Sequence, residues 1–209
     1  PIVSPFRRLA SDLGRNQYRR SPSGKSMLVG LTGRNASGKS TFVEWFSAKG
    51  LRSVSCSDSI RAWLAEQGIE STREALIDGG RELRRQGGGG VLAEMLLEIL
   101  SGEDAVVDSI RTPAEVEALR ERGDFFLIEV RADQEARWER MNQRGRSGDP
   151  LDKEVFLKQE EAEASSKDEA GQALDATAEM ADVTIDNDGT LEELERKLEG
   201  VWSNLSRAQ

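Results

Sequence analysis

The glycine-rich segment GLTGRNASGKST, residues 30–41, most constrains the fold of this 209-residue chain. Residues 33–40 fit the pattern G-x-x-x-x-G-K-[S/T]. The apolar run at residues 27–31 predicts a strand before it, and the apolar positions within residues 42–46 predict a helix after it. Between a strand and a helix, such a loop can turn its backbone N–H groups inward around a phosphate. The segment therefore predicts a phosphate-binding loop.

Individual residues of this loop have different predicted roles. Lys39 adds a mobile positive charge that can act on the transferring phosphate, and Ser40 offers a hydroxyl to Mg²⁺. We expect ATP as the ligand. A glycine turn without a ligand is the alternative. The predicted nucleotide contacts are Gly33, Asn35, Ala36, Ser37, Gly38, Lys39, Ser40 and Thr41.

Four further β-rich segments follow along the chain: LRSVSC, DAVVD, FFLIEV and DVTID. Each precedes a helical stretch, so the five strands predict a mostly parallel sheet with helices on both faces, in an α/β fold. The longest helical region, residues 57–100, is interrupted by QGGGG at residues 86–90, which is either a hinge or the end of a helix. The charged segment at residues 160–172 is expected to be a solvated helix pair or loop.

Composition narrows the possible chemistry. The chain has no histidine, which removes the usual general base, so catalysis would depend on carboxylates, Lys, Arg and a metal. Its single cysteine, Cys56, cannot form an internal disulfide, and no apolar run reaches the roughly 20 residues of a membrane span. We therefore expect a cytoplasmic protein. The formal charge of -9 makes nucleic acid an unfavourable partner unless a basic patch is local.

The first 26 residues differ in composition from the rest, with six Lys or Arg against one Asp. They are interpreted as a basic arm, a linker from another domain or a solvated tail, and these alternatives stay open. We place the main domain at residues 27–209. A fused or associated partner domain could connect through the arm.

Two DSIR segments predict a second site. Asp58 and Arg61 follow the second strand, and Asp108 and Arg111 follow the third, so all four should meet at the carboxyl edge of the sheet. The two guanidinium groups suit a second anionic group besides the nucleotide. Alternatively, Asp58 caps a helix and Arg61 is its surface partner. Asp108, directly after a buried run, is predicted to act through Mg²⁺ or to orient a hydroxyl.

An arginine-rich segment follows the fourth strand and is predicted to form a mobile lid at residues 140–152. Such a flap could close over the phosphates and exclude water. The alternative is a solvated basic face in which Arg137 pairs with Asp133. The arginines of this segment are Arg137, Arg140, Arg144 and Arg146.

These motifs together resemble the nucleoside-monophosphate kinase group of P-loop proteins, including adenylate-kinase-like and dephospho-coenzyme-A-kinase-like members, over roughly residues 27–202. The resemblance implies the strand order 2-3-1-4-5. SCSDSIR is similar to the segment that opens the acceptor-binding helices, which would give Arg61 the acceptor phosphate. VVDSIR is similar to the strand-three D-G-F-P-R stretch, which would give Asp108 a magnesium or catalytic role and Arg111 an acceptor contact.

The same resemblance covers the lid and the last strand. RWERMNQRGRSGD resembles the lid and would carry Arg140, Arg144 and Arg146 to the transferring phosphate. IDNDGTLEEL resembles the loop near the adenine, with Asn187 and Gly189 as its contributors. The chain departs from the group in its shorter DSIR segment and in lacking the His-Pro segment of dephospho-coenzyme-A kinases.

The leading hypothesis is an ATP- and Mg²⁺-dependent kinase that phosphorylates a nucleotide-like small molecule. Ser40 and Asp108 would be the metal ligands, and Lys39, Asp108, Arg144 and Arg146 the catalytic residues. The acceptor would be held at residues 57–100 and by Asp58, Arg61, Arg84 and Arg111. One alternative is a nucleotide-sensing module of a larger, deaminase-linked protein, and another is a kinase acting on nucleic acid. A GTPase is disfavoured because no N-K-x-D stretch is present.

Overall fold

A five-stranded parallel sheet forms the centre of the computed structural model, which describes residues 26–145, 149–164 and 171–208. The strand order is β2-β3-β1-β4-β5, and every paired register is parallel. Both the predicted parallel α/β sheet and the order 2-3-1-4-5 are therefore confirmed. The strands are β1 (Leu28–Thr32), β2 (Arg52–Ser55), β3 (Ala105–Asp108), β4 (Phe125–Arg131) and β5 (Val183–Asp186).

Helices cover both faces of the sheet. Within the described ranges they are α1 (Lys39–Ala48), α2 (Cys56–Glu66), α3 (Arg73–Gly87), α4 (Val91–Leu100), α5 (Pro113–Arg120), α6 (Gln134–Arg144), α7 (Lys153–Ala164), α8 (Leu174–Glu179) and α9 (Leu191–Ala208).

The core has two apolar clusters, one on each face of the sheet. Leu28 of β1 belongs to the cluster that packs against α2, α3, α4 and α5. Val29 and Leu31 point to the other face and join the cluster formed with α1 and α9. Because both faces are covered, the central strands are almost continuously apolar, as expected for a parallel sheet.

The region between β2 and β3 contains the three helices α2, α3 and α4. The sequence did not predict the helical interruption at residues 67–72, which separates α2 from α3. The glycine run ends α3 at Gly87, and Gly88 follows with φ 90°. A positive φ is costly for residues with a Cβ, so glycine suits this position. The run thus ends a helix, which was one of its two interpretations.

Arg84 of α3 corrects a site prediction. Its side chain is 4% exposed, and its Nε and Nη2 both donate to Oε1 of Glu115, whose side chain is fully buried. The Oε2 of Glu115 accepts from the backbone N–H groups of Arg111 and Thr112. Arg84 therefore joins α3 to the turn after β3, and its guanidinium is not available as the predicted acceptor ligand.

Replacing Arg84 with alanine should destabilise the fold by about 3 kcal/mol, because it leaves the Glu115 charge buried without its partner. Chemical denaturation monitored by circular dichroism measures this change. Arg85→Ala on the same helix is the matched control, since the Arg85 side chain is 57% exposed. That variant should stay within about 0.5 kcal/mol of the parent protein. Equal stabilities of the two variants would contradict the structural role of Arg84.

Candidate functional site

A cavity of about 890 Å³ opens at the carboxyl edge of the sheet. The phosphate-binding loop, the ends of β2 and β3, and residues of α3, α6 and α7 all contribute to its wall. Ligands of open α/β sheets bind in this crevice beyond the strand ends. The predicted site residues that line it are Asn35, Ala36, Gly38, Lys39, Ser40, Thr41, Arg61, Arg84, Asp108, Arg111, Arg140, Arg144 and Asn187.

Two positions of the phosphate-binding loop favour glycine because of their backbone conformation and their close neighbours. Gly33 has φ 129°, and a Cβ there would lie 2.2 Å from the carbonyl oxygen of Val130. Gly38 has φ 98°, and its Cβ would lie 2.1 Å from Nδ2 of Asn187. At Gly33 a Cβ is excluded by the backbone of Val130, whereas at Gly38 the neighbouring atom is the end of a side chain and the positive φ is what disfavours a Cβ. Gly33 therefore lets the loop backbone pack closely against Val130 of β4, and it does not line the cavity.

The loop ends at a helix terminus that can receive an anion. Gly38 precedes α1, and in the described part of the chain no side chain caps its first N–H groups. Unpaired N–H groups and the helix dipole favour a phosphate at this position. Ser37 is fully buried and does not line the cavity.

Lys39 folds back onto the loop. Its ammonium donates to the carbonyl oxygens of Gly33 at 2.7 Å and Arg34 at 2.9 Å. Burial is the largest effect on this group and lowers the pKa of Lys39 from 10.5 to about 8, against the opposing attraction of Asp108. A bound polyphosphate would supply the negative charge that restores the ammonium form.

Nucleotide binding should therefore take up a proton above pH 8. The free protein loses the Lys39 charge as pH rises through about 8, whereas the bound state keeps it, so affinity for ATP should fall by about twentyfold between pH 7.5 and pH 9.5. Calorimetric titration in two buffers of different ionisation enthalpy measures both quantities. Lys39→Met has no titratable group and should show no proton uptake. Equal uptake in this variant would assign the proton to another residue.

Asp108 ends β3 beside the loop. One of its carboxylate oxygens accepts from the backbone N–H of Ser109 at 2.6 Å, and the side chain lines the cavity together with Ser40. A carboxylate and a hydroxyl are the hard oxygen ligands that Mg²⁺ prefers. The described residues include no group of three His, Cys, Asp or Glu side chains that could hold a metal by themselves. The two oxygens fit an ion bound mainly by phosphates and water, as Mg²⁺ usually is.

Asp58 supports a helix. Ser55 is the N-cap of α2, and the Asp58 carboxylate accepts from its backbone N–H in a reciprocal capping box. The same carboxylate accepts from Arg61 at 2.9 Å. Asp58 does not line the cavity, whereas Arg61 does. The structure therefore gives Asp58 a capping role at the third position of α2, with Ser55 as the N-cap, and its carboxylate is directed to the helix and not to the cavity.

Sequence reasoning did not identify three residues of the cavity wall, which are Arg73, Glu163 and Gln172. Glu163 of α7 accepts from Nη2 of Arg73 at 2.7 Å and from Nδ2 of Asn35 at 2.8 Å. Arg111 donates to Gln172 at 2.9 Å, and its Nη1 lies 3.6 Å from Glu163. All of these side chains line the cavity. The Glu163 side chain is 12% exposed, so the segment predicted to be solvated contributes to the site.

Asn187 closes the opposite end of the cavity. The Asn187 Nδ2 donates to the backbone carbonyl oxygen of Ser37 at 2.8 Å. The backbone carbonyl oxygen of Asn187 accepts from Nη2 of Arg140 at 2.6 Å. Leu191 and Leu194 line the wall beside them. An apolar surface next to a guanidinium plane suits a flat aromatic base. Gly189 lies outside the wall, before the cap of α9.

The predicted lid is only partly described. Arg144 forms two hydrogen bonds with Asp149, at 2.8 and 2.9 Å, at the cavity rim, while Arg146 lies outside the described residues. Arg137 is buried and forms an ion pair with Glu160 of α7, including a bond of 3.0 Å to Oε2. Arg137 therefore does not pair with Asp133 and is not part of a solvated basic face.

Within the described ranges, the helices are too short or too polar to cross a membrane.

The comparisons with known sequences point to one family. A family model described as an AAA domain matches residues 29–166. A UPF0200 protein from Methanothrix thermoacetophila is 34% identical over 183 residues, which cover 87% of this chain and 99% of that protein.

Solved structures share the architecture. TT1252 from Thermus thermophilus matches with a TM-score of 0.57 and 23% identity, covering 87% of this chain and 98% of that chain. A sugar kinase from Janibacter sp. matches with a TM-score of 0.51 and 19% identity, covering 88% and 97%. At these identities the likeness is to the fold, which is the P-loop kinase fold.

Proposed function

We propose that this chain, which belongs to the UPF0200 family and carries an AAA domain at residues 29–166, is an ATP-dependent small-molecule kinase. We propose further that its acceptor is itself phosphorylated, with nucleoside and deoxynucleoside monophosphates as the leading candidates and dephospho-coenzyme A as a weaker one. One observation carries the proposal. A single cavity joins the phosphate-binding loop to Arg61, Arg73 and Arg111, with Asp108 also in its wall.

The charge of the cavity supports a second anionic group. Apart from Arg84, which is bound to Glu115, six basic side chains line it, against three acidic ones. ATP with Mg²⁺ would use the charges at the loop. Three further arginines of the wall do not belong to the loop, namely Arg61, Arg73 and Arg111. Guanidinium groups bind phosphate oxygens in pairs of hydrogen bonds. A phosphate on the acceptor would offer these guanidinium groups further acceptor oxygens, which a neutral sugar would not, so the arginines favour a phosphorylated acceptor.

The donor would bind at the loop. Lys39 and the N–H groups at the start of α1 would contact its phosphates, and Asn187 with Arg140 would lie beside the base. Ser40 and Asp108 would hold Mg²⁺, which supplies charge neutralisation at the phosphates. Adenine against Leu191 would account for the apolar wall at that end.

The acceptor would bind beyond Asp108. Arg61, Arg73 and Arg111 would hold its phosphate, and Asp108 would orient the attacking oxygen toward the γ-phosphorus. Arg144 would stabilise the developing charge once released from Asp149. Closure of the 140–152 segment would exclude water, so that the phosphoryl group reaches the acceptor. We place this reaction in the cytoplasm, where ATP is available.

The test is ADP formation from ATP and Mg²⁺ across ribo- and deoxyribonucleoside monophosphates and dephospho-coenzyme A, with Lys39→Ala protein as the blank. The proposal predicts that at least one phosphorylated acceptor stimulates ADP formation well above the blank. A flat panel together with tight ATP binding would contradict it and favour a nucleotide-sensing module.

A further inference from the structure

Ser109 has a backbone conformation that serine rarely adopts. Its φ is 63°, in the left-handed region where a Cβ is unfavourable and glycine is preferred. It directly follows Asp108 and lines the cavity. Backbone strain of this kind concentrates at functional sites, where surrounding contacts hold it in place.

The turn at Ser109 does not depend on the serine side chain. The Ser109 N–H donates to Asp108, and the next N–H, of Ile110, donates to the carbonyl oxygen of Leu31 at 3.4 Å. Ile110 is 1% exposed and anchors the turn in the core. Glycine would keep every one of these contacts with less strain. These turn contacts therefore give no reason for a serine at this position.

The Ser109 hydroxyl has no hydrogen-bond partner among residues 26–145, 149–164 and 171–208. Ser101 provides a contrast, because it is also left-handed, with φ 48°, yet its hydroxyl donates to the carbonyl oxygen of Glu98 at 3.1 Å. Ser101 is exposed and lies outside the cavity wall. Of these two strained serines, only the one in the cavity has a hydroxyl left for a ligand.

We propose that the Ser109 hydroxyl donates a hydrogen bond to a phosphate oxygen of the acceptor, next to Arg111. This inference rests on the proposed function and adds a position for the acceptor phosphate. Arg111 is two residues further along the same turn and lines the same wall. A hydroxyl beside a guanidinium group is a combination that binds phosphate oxygens. Ser109 is thus a binding residue for the phosphate of the acceptor.

Inorganic phosphate is the probe for this site, titrated into protein already saturated with Mg²⁺ and a non-hydrolysable ATP analogue, so that the loop is filled. Ser109→Ala and Ser109→Gly should each weaken phosphate binding about five- to tenfold, with affinity for the ATP analogue unchanged. Ser109→Gly should also raise Tm, because the strain is relieved, whereas Ser109→Ala should not. Arg111→Ala is the positive control and should weaken phosphate binding at least as much.

Ser101→Gly is the matched control, since it changes a left-handed serine outside the cavity and should leave phosphate affinity unchanged. Unchanged phosphate affinity in both Ser109 variants would overturn the proposal. Failure of the loaded parent protein to bind phosphate would overturn it as well. The kinase proposal is judged separately by ADP formation, so the two failures are distinguishable.

Discussion

Replacing Lys39 with alanine should lower phosphoryl transfer by about a thousandfold while the fold remains intact. Within the described residues, the ammonium donates only to the loop carbonyl oxygens of Gly33 and Arg34 and to the more distant Ser37 hydroxyl, at 3.5 Å. It is therefore free to turn toward phosphates once they bind. Its loss removes a positive charge from the point where negative charge develops in the transition state. Acceptor-dependent ADP formation measures the loss, and circular dichroism reports the fold.

Lys49→Ala is the matched control, because Lys49 directly follows the same helix and forms an ion pair with Glu199 on the surface. This variant should keep at least half of the parent rate. Turnover by Lys39→Ala at a rate close to that of Lys49→Ala would contradict the role of the loop lysine.

Replacing Asp108 with asparagine should lower kcat by about a hundredfold or more, with the affinity for ATP changed by only a few-fold. The substitution keeps the size of the side chain but removes the charge that would hold Mg²⁺ and orient the attacking oxygen. The Asp108 oxygen that accepts from Ser109 can be replaced by the amide oxygen, so the turn should survive. Steady-state kinetics and calorimetry with an ATP analogue separate the two effects.

Asp78→Asn is the matched control, because the Asp78 side chain on α3 is 68% exposed. It tests whether the loss of a surface carboxylate by itself lowers kcat. It should leave kcat unchanged. If Asp108→Asn weakened ATP binding in proportion to its loss of turnover, Asp108 would be a nucleotide-binding residue and not a catalytic one.

The local sequence pattern was sufficient to predict the parallel sheet and the phosphate-binding loop. The three central strands β1, β3 and β4 are short, largely apolar segments that end in a polar residue, and burial on both faces explains why they do not alternate. The loop pattern constrains the backbone directly, since Gly33 and Gly38 are the positions where a Cβ would collide. The predicted contributors from β3, α6 and the β5 turn therefore reach one cavity.

Pairing between distant charges could not be predicted in this way. Glu163 is hydrogen-bonded to Asn35, which is 128 residues away in the sequence, and to Arg73, which is 90 residues away. Nothing in the segment EEAEASSK distinguishes Glu163 from its acidic neighbours. Arg84 is one of three arginines near the C-terminal end of α3, and only its tertiary contact with Glu115 of α5 distinguishes it from Arg81 and Arg85. The failure has a physical cause, because an arginine next to a cavity can either bind a ligand or satisfy a buried carboxylate.

The fate of the γ-phosphate of ATP tests the central claim most directly. ATP labelled at that position is incubated with Mg²⁺, the protein and each acceptor, and the labelled products are separated and counted. The kinase account predicts label on a phosphorylated acceptor, little label in inorganic phosphate, and neither product with Lys39→Ala. Label found only in inorganic phosphate, or remaining entirely in ATP that the protein binds tightly, would contradict the account.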